Sequence, residues 1–241
     1  MLLAKDESYL VEVSDKILHT QSGMIDLKKL KSKKHGDKIK THTKKEFSII
    51  KPNLKDILSK KTKRLPQIMM PKDIALILAF TGIQSNGLVV DAGTGSGFLA
   101  MMLANYLKDG KIVTYENNKK FFKIAKYNIG LCGLTNIKLK QKDVKKGIDE
   151  RNVDLVTLDL KDAEKIVKHA YKSLKAGGWL VVYSPYIEQV ISVANEIKKK
   201  NFSELKTVEN IVREWQIEKY ARPKTIGLMH TGFLTFARKV S

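Results

Sequence analysis

An α/β fold, with a parallel sheet covered on both faces and a small β-rich module ahead of it, is predicted by three observations. Apolar runs recur at 88–92, 111–116, 137–142, 153–160 and 179–184, separated by segments of helical spacing at 97–107, 118–130, 162–174 and 187–200. The first run passes into its helix through a glycine-rich turn, Asp91-Ala92-Gly93-Thr94-Gly95-Ser96-Gly97. Ahead of all this, the chain is shorter in period and richer in turns.

Up to about residue 55, short alternating segments such as Tyr9-Leu10-Val11-Glu12-Val13 and Glu46-Phe47-Ser48-Ile49-Ile50 stand between polar turns, the pattern of a small β module. Ser59 to Pro66 reads as a charged connector, and Pro66 disfavours a helix through it. The expected division is therefore a first domain at 1–58, a linker at 59–66 and a second domain at 67–241. From Pro71, residues Ile74, Leu76, Ile77, Leu78 and Phe80 have helical spacing and lead into the first strand of the sheet. Gly177-Gly178 punctuates the approach to the fifth strand, and Gly147 precedes the fourth. Near the end, 205–220 and 232–239 are extended segments that could pair antiparallel at the sheet edge.

The turn itself points to a ligand. Glycines at 93, 95 and 97 remove Cβ atoms where the backbone must turn sharply and approach a bound molecule closely. Glu116 closes the next apolar run, where its carboxylate could accept hydrogen bonds from both hydroxyls of a ribose. The pattern is G-x-G-x-G, with Phe98 where the dinucleotide fingerprint has its third glycine. Asp91, just before the turn, would repel a pyrophosphate but could hold an ammonium group. S-adenosylmethionine, with a cationic sulfonium, a zwitterionic tail and no phosphate, fits better than a dinucleotide. The same glycine pattern also occurs as a plain strand-to-helix junction.

Of the 241 residues, 45 are basic and 25 acidic, a formal net charge of +20. Such a field attracts a polyanion, with nucleic acid, RNA included, as the leading partner. Lysines cluster at Lys28, Lys29, Lys31, Lys33 and Lys34 and again at Lys38, Lys40, Lys44 and Lys45, either as a solvated face or as a phosphate-contacting surface. Hydrophobic content of 43% is that of a folded globular protein, and no apolar stretch has the length of a membrane span. With no leader-like opening and a single cysteine, Cys132, the expected compartment is the cytoplasm. No Cys/His cluster has metal-ligand spacing, and neither a nucleophile elbow nor a Walker sequence is present.

Gln67-Ile68-Met69-Met70-Pro71-Lys72-Asp73, the glycine turn and the closing His230-Thr231-Gly232-Phe233-Leu234-Thr235-Phe236-Ala237-Arg238 together resemble the TrmI family. The likeness extends to His19-Thr20 through Asp26 and to Thr41-His42-Thr43 through Pro52 in the first module. These are class I methyltransferases that methylate adenine N1 in the T-loop of tRNA, and the resemblance implies a Rossmann-like methyltransferase domain behind a small N-terminal β domain that contacts tRNA. It also implies a homotetramer. Gly93, Thr94, Gly95, Ser96 and Gly97 would cradle the methionine part of the donor, and Glu116 with Asn117 would take the ribose. Asp143 with Val144 would meet the adenine end, and Gln67 would lie against the pocket. Asp159 matches the family's catalytic acid and would anchor both donor tail and target base. Tyr183 matches a tyrosine near the base, and His230 and Thr231 would line the same cleft.

Two departures stand out. Asp159 is followed by Leu160-Lys161-Asp162 rather than by a proline-containing loop, and Met70 replaces a common tyrosine on the base side. A noncatalytic RNA-binding subunit of the same fold, and a methyltransferase acting on protein or a small molecule, are the competing readings. The intact Gly93, Gly95, Gly97 and Glu116 disfavour the first, and the basic module disfavours the second.

Overall fold

The computed structural model describes residues 1–64, 68–227 and 229–241, which fall into two compact units, Met1–Thr62 and Lys63–Ser241. Gln67 and the last two residues of the charged connector lie outside the described residues.

In the first unit, β1 (Leu2–Leu3), β2 (Ser8–Tyr9), β5 (Lys38–Lys40) and β6 (Glu46–Ile49) form an antiparallel sheet of order β2-β1-β6-β5, while β3 (Ile17–Thr20) and β4 (Gly23–Asp26) make a hairpin. Leu2, Ile25, Leu27, Ile39 and Phe47 are its core. The alternation at 9–13 yields only the short β2, whereas that at 46–50 is strand for four residues. The unit also contains a helix that apolar spacing does not announce, α1 (Leu54–Lys60). Asn53 and Asp56 start it reciprocally, each side chain accepting from the other's backbone N–H, so the helix runs into the first residues of the expected connector.

The second unit opens with α2 (Pro71–Thr81), which has Pro71 at its first position and a left-handed Gly82 at its end. There follow β7 (Leu88–Ala92), α3 (Phe98–Tyr106), β8 (Lys111–Tyr115), α4 (Lys119–Cys132), β9 (Ile137–Lys140), β10 (Val153–Leu158), α5 (Val167–Ser173), β11 (Leu174–Ser184) and α6 (Ile187–Lys198). The chain ends with β12 (Phe202–Glu209), β13 (Trp215–Ile217), β14 (Ala221–Pro223) and β15 (Phe233–Lys239). The seven-stranded sheet has the order β12-β15-β11-β10-β7-β8-β9. Val89 belongs to the apolar cluster on one face and Val90 to that on the other, which is why β7 reads as an unbroken apolar run.

The five apolar runs pair in parallel, and β15 pairs antiparallel with both β11 and β12, so the closing segments add an antiparallel edge as expected and the sheet is mixed. Two expectations need correction. First, 205–220 is not one strand: β12 ends at Glu209, and Trp215–Ile217 pairs instead with β14. Asn210 turns the chain aside, its side-chain amide donating to the Lys72 carbonyl at 2.8 Å. Second, β11 starts at Leu174, ahead of the two glycines, with an irregular register opposite Val153 and Leu155. Gly178 is needed inside that strand because a Cβ there would lie 2.8 Å from the Val153 carbonyl.

Candidate active site

Residues that follow four adjacent parallel strands line one cavity of about 910 Å³. Gly93 and Gly95 come from the end of β7, Glu116 and Asn117 from β8, Asp143 and Val144 from the chain after β9, and Asp159 from the end of β10. This is the place where open α/β sheets bind ligands. Met70, Tyr183, His230 and Thr231 complete the lining.

The glycine turn is built against the neighbouring strands. The N–H groups of Gly93 and Thr94 both donate to the Tyr115 carbonyl, at 3.1 and 3.2 Å, and the Thr94 and Thr114 hydroxyls are bonded at 2.6 Å. Gly93 has φ +94°, and a Cβ on it would fall 1.9 Å from the Asp159 carbonyl oxygen. Only glycine admits that approach. Ser96 gives its carbonyl to Asn128 at 2.8 Å, while its buried hydroxyl has no partner among the described residues. Gly97 heads α3. Thr94, Ser96 and Gly97 thus shape the turn without lining the cavity.

Glu116 is tied at both oxygens: Oε2 accepts from Gly95 N at 2.9 Å and Oε1 from Asn118 N at 2.8 Å. Each oxygen keeps a further lone pair for a ligand hydroxyl. Asp143 accepts from Lys145 N at 2.9 Å and starts a short turn of 3-10 helix, Val144–Lys146.

Asp91, expected to hold an ammonium group, does not line the cavity. It is 1% exposed, and its oxygens accept from Thr114 at 2.6 Å and Thr157 at 2.8 Å, the residues opposite it on β8 and β10. Burial raises its carboxyl above the ordinary value, against the pull of those two hydroxyls. Asp159 sits at the cavity, where burial, then the neighbouring charge of Asp91, pushes its carboxyl up to about 7. A cation arriving there restores the ionised form.

Around the other side, His230 donates from Nδ1 to Glu209 at 2.5 Å and from Nε2 to the Pro185 carbonyl at 3.1 Å as an imidazolium. Those two acceptors hold its pKa above the ordinary imidazole value. The Tyr183 hydroxyl donates to the Thr231 carbonyl, and burial first of all pushes it up to about 12. Thr231 Oγ1 in turn donates to Asp73 Oδ2 at 2.9 Å and accepts from Lys72 Nζ at 2.7 Å, and Lys72 reaches Asp73 Oδ1 at 2.9 Å. Asp73 is 1% exposed. This role for Lys72 and Asp73 escapes sequence reasoning because their partner Thr231 stands 159 and 158 residues further along. A second unforeseen cluster joins the Tyr115 hydroxyl, Lys140 and Glu150, bracing the chain that carries Asp143.

Residues 49–225 match the family described as tRNA methyltransferase complex GCD14 subunit. The chain is 37% identical to the tRNA (adenine(57)-N(1)/adenine(58)-N(1))-methyltransferase TrmI of Methanocaldococcus jannaschii, over 97% of this chain and 92% of that protein. It is 28% identical to the tRNA (adenine(58)-N(1))-methyltransferase TrmI of Thermus thermophilus, over 99% and 96%. Among solved structures, a SAM-dependent O-methyltransferase from Thermotoga maritima superposes with a TM-score of 0.89 at 31% identity, covering 100% of this chain and 92% of that one. The tRNA (m1A58) methyltransferase TrmI of Aquifex aeolicus gives 0.84 at 25% identity, covering 100% and 96%.

Proposed function

The chain belongs to the TrmI family of tRNA (adenine-N1)-methyltransferases, and from that premise we propose that it methylates N1 of adenosine 58 in the tRNA T-loop, with adenosine 57 as a second acceptor. The observation that carries the reading is the cavity itself, in which Glu116, Asp143 and Asp159 end or follow successive strands around Gly93 and Gly95. Those groups suit S-adenosylmethionine: three carboxylates beside the glycine turn can accept hydrogen bonds from hydroxyls and an amine and attract a positive centre.

When bound, S-adenosylmethionine supplies an electrophilic methyl carbon attached to a positively charged sulfur. Glu116 holds the ribose, with Asn117 beside it; Asp143 and Val144 take the adenine end; Gly93 to Gly97 frame the tail. Asp159 faces both reactants. Its carboxylate steadies the positive charge that grows on the adenine as N1 gains the methyl group, and it needs no acid or base strength to do so. Holding N1 in line with the breaking carbon–sulfur bond supplies most of the rest. Tyr183, Met70, His230 and Thr231 form the wall facing the base. The target base is extruded from its loop to reach them, at a cost of a few kcal/mol recovered in pocket contacts.

The exposed lysines Lys28, Lys29, Lys33 and Lys34 of the first domain support its role as a grip on the tRNA backbone. A homotetramer is supported by the apolar face of the β13–β14 arm, where Trp215, Ile217 and Tyr220 are 54%, 74% and 75% exposed. No helix among the described residues is long and apolar enough to cross a membrane, and a cytoplasmic site of action is proposed to accompany the tRNA substrate.

The test is incubation of purified protein with labelled donor and unmodified tRNA, followed by nucleoside analysis. 1-Methyladenosine is the expected product. A second reading, transfer to oxygen, is favoured by the Thermotoga maritima structure described as an O-methyltransferase, and a 2′-O-methylated nucleoside would establish it instead. A folded protein that binds no donor would point to the noncatalytic subunit.

A further inference from the structure

A second cleft of about 880 Å³ opens beside the first, and Met70 and Thr231 line both. The partition between them is firm. Thr231 is held by Asp73 and Lys72, and the Lys72 ammonium, shared among Asp73, Thr231 and the Asn210 carbonyl, is neutralised inside the wall. The far side of the second cleft comes from the β13–β14 arm and the chain on either side of it. Three cations stand there. Lys224 is paired with Glu214 at 2.5 Å, whereas Arg213 and Arg222 have no side-chain partner among the described residues. Pro223, Ile226 and Met229 line the cleft beside them.

Two unpaired guanidinium forks next to an apolar surface match a phosphate and the flat face of a base. The position matters as much as the chemistry. Stacked nucleotides advance about 3.4 Å along a strand, so a strand that delivers one base into the first cavity must lay its neighbour close to the partition. Trp215, Ile217 and Tyr220 do not line the cleft, so the arm's apolar face remains available for another copy of the chain.

We infer that the second cleft receives the nucleotide adjacent to the target adenine, its phosphate on Arg213 and Arg222 and its base against Ile226 and Met229. This rests on the proposed tRNA methyl transfer. The cleft then keeps the neighbouring base out of the stack while the target base reacts.

The experiment measures methyl transfer to an intact tRNA transcript and to two copies with an abasic nucleotide immediately 5′ or 3′ of the target adenine, using wild type, Met229→Ala and Arg213→Ala/Arg222→Ala. An abasic lesion also loosens the loop, so the reading is the coupling between lesion and variant. For one of the two lesions, wild type is expected to show about a tenfold rise in KM, and Met229→Ala to show little further rise. The double arginine variant should raise KM for intact tRNA about tenfold, with kcat and donor affinity near wild type. Equal penalties in wild type and Met229→Ala for both lesions would overturn the inference. So would an arginine variant whose mass in solution changes while its KM for tRNA does not, since the arm would then serve another copy of the chain. Failure of wild type to methylate intact tRNA would instead remove the parent reading along with this one.

Discussion

The carbonyl oxygen of Asp159 lies so close to Gly93 that a Cβ on the glycine would come within 1.9 Å of it. The glycine turn and the proposed catalytic acid are therefore one construction, with the strand end of the acid fitted into the space that the missing side chain leaves. Gly93→Ala should both strain a φ of +94° and push Asp159 aside, costing on the order of 3 kcal/mol of stability and abolishing donor binding. Gly97→Ala is the comparison, since it carries a similar backbone strain at φ +86° but its added Cβ meets nothing nearer than Met101 Cε at 3.5 Å, so the difference between the two isolates the clash with Asp159. Denaturant melts and donor titrations on both variants check the contrast. Equal losses would detach Gly93 from Asp159.

Donor affinity should depend on pH through Asp159. Its carboxyl is raised from 3.8 to about 7, so the anion that attracts a cationic donor forms as pH rises through about 7. Affinity should grow from pH 6 to pH 8 in wild type and stay flat in Asp159→Asn, which should also lose methyl transfer. The unliganded protein shows the opposite sign. The folded state holds this proton more tightly than the unfolded state, so wild-type stability falls between about 3.8 and about 7, and Asp159→Asn should melt higher than wild type above that window. Calorimetry across pH separates the two effects.

Lys72→Met should leave Asp73, 1% exposed, without its cation, and destabilise the protein by about 3 kcal/mol. Lys72→Met/Asp73→Leu should recover much of that stability, because two apolar residues leave no buried charge. A double-mutant cycle by denaturant melts measures the difference. Strict additivity would mean that the two residues do not form a coupled pair.

Reversing the charges of Lys28, Lys29, Lys33 and Lys34, all exposed, should weaken tRNA binding about tenfold or more and flatten its dependence on salt. Donor affinity should not change. Filter binding over a range of salt concentrations reads both quantities. An unaltered salt slope would make these lysines a merely solvated face.

The positions of β7 and β8 were legible because strands buried on both faces read as continuous apolar runs, and Glu116 was legible because it ends one of them. Register was not. That Thr114 and Thr157 flank Asp91 is a property of strand pairing, which alternation along a single strand does not encode, so Asp91 looked free to face a ligand. Gly177 and Gly178 looked like punctuation, yet Gly178 is demanded by the Val153 carbonyl of the next strand. Asn210 likewise draws the chain off the sheet through a partner 138 residues away. α1 differs in carrying a local signal, the Asn53 and Asp56 pair at its start, without apolar spacing to go with it. Residues whose roles come from their own spacing could be found, and those whose roles come from a distant partner could not.

The most direct measurement is to map the methylated nucleotide in unmodified tRNA incubated with the purified protein and S-adenosylmethionine. 1-Methyladenosine within the T-loop is the expected product, and it should disappear when Asp159→Asn replaces wild type. A methyl group on any other atom, or unchanged transfer by that variant, would contradict the proposed reaction.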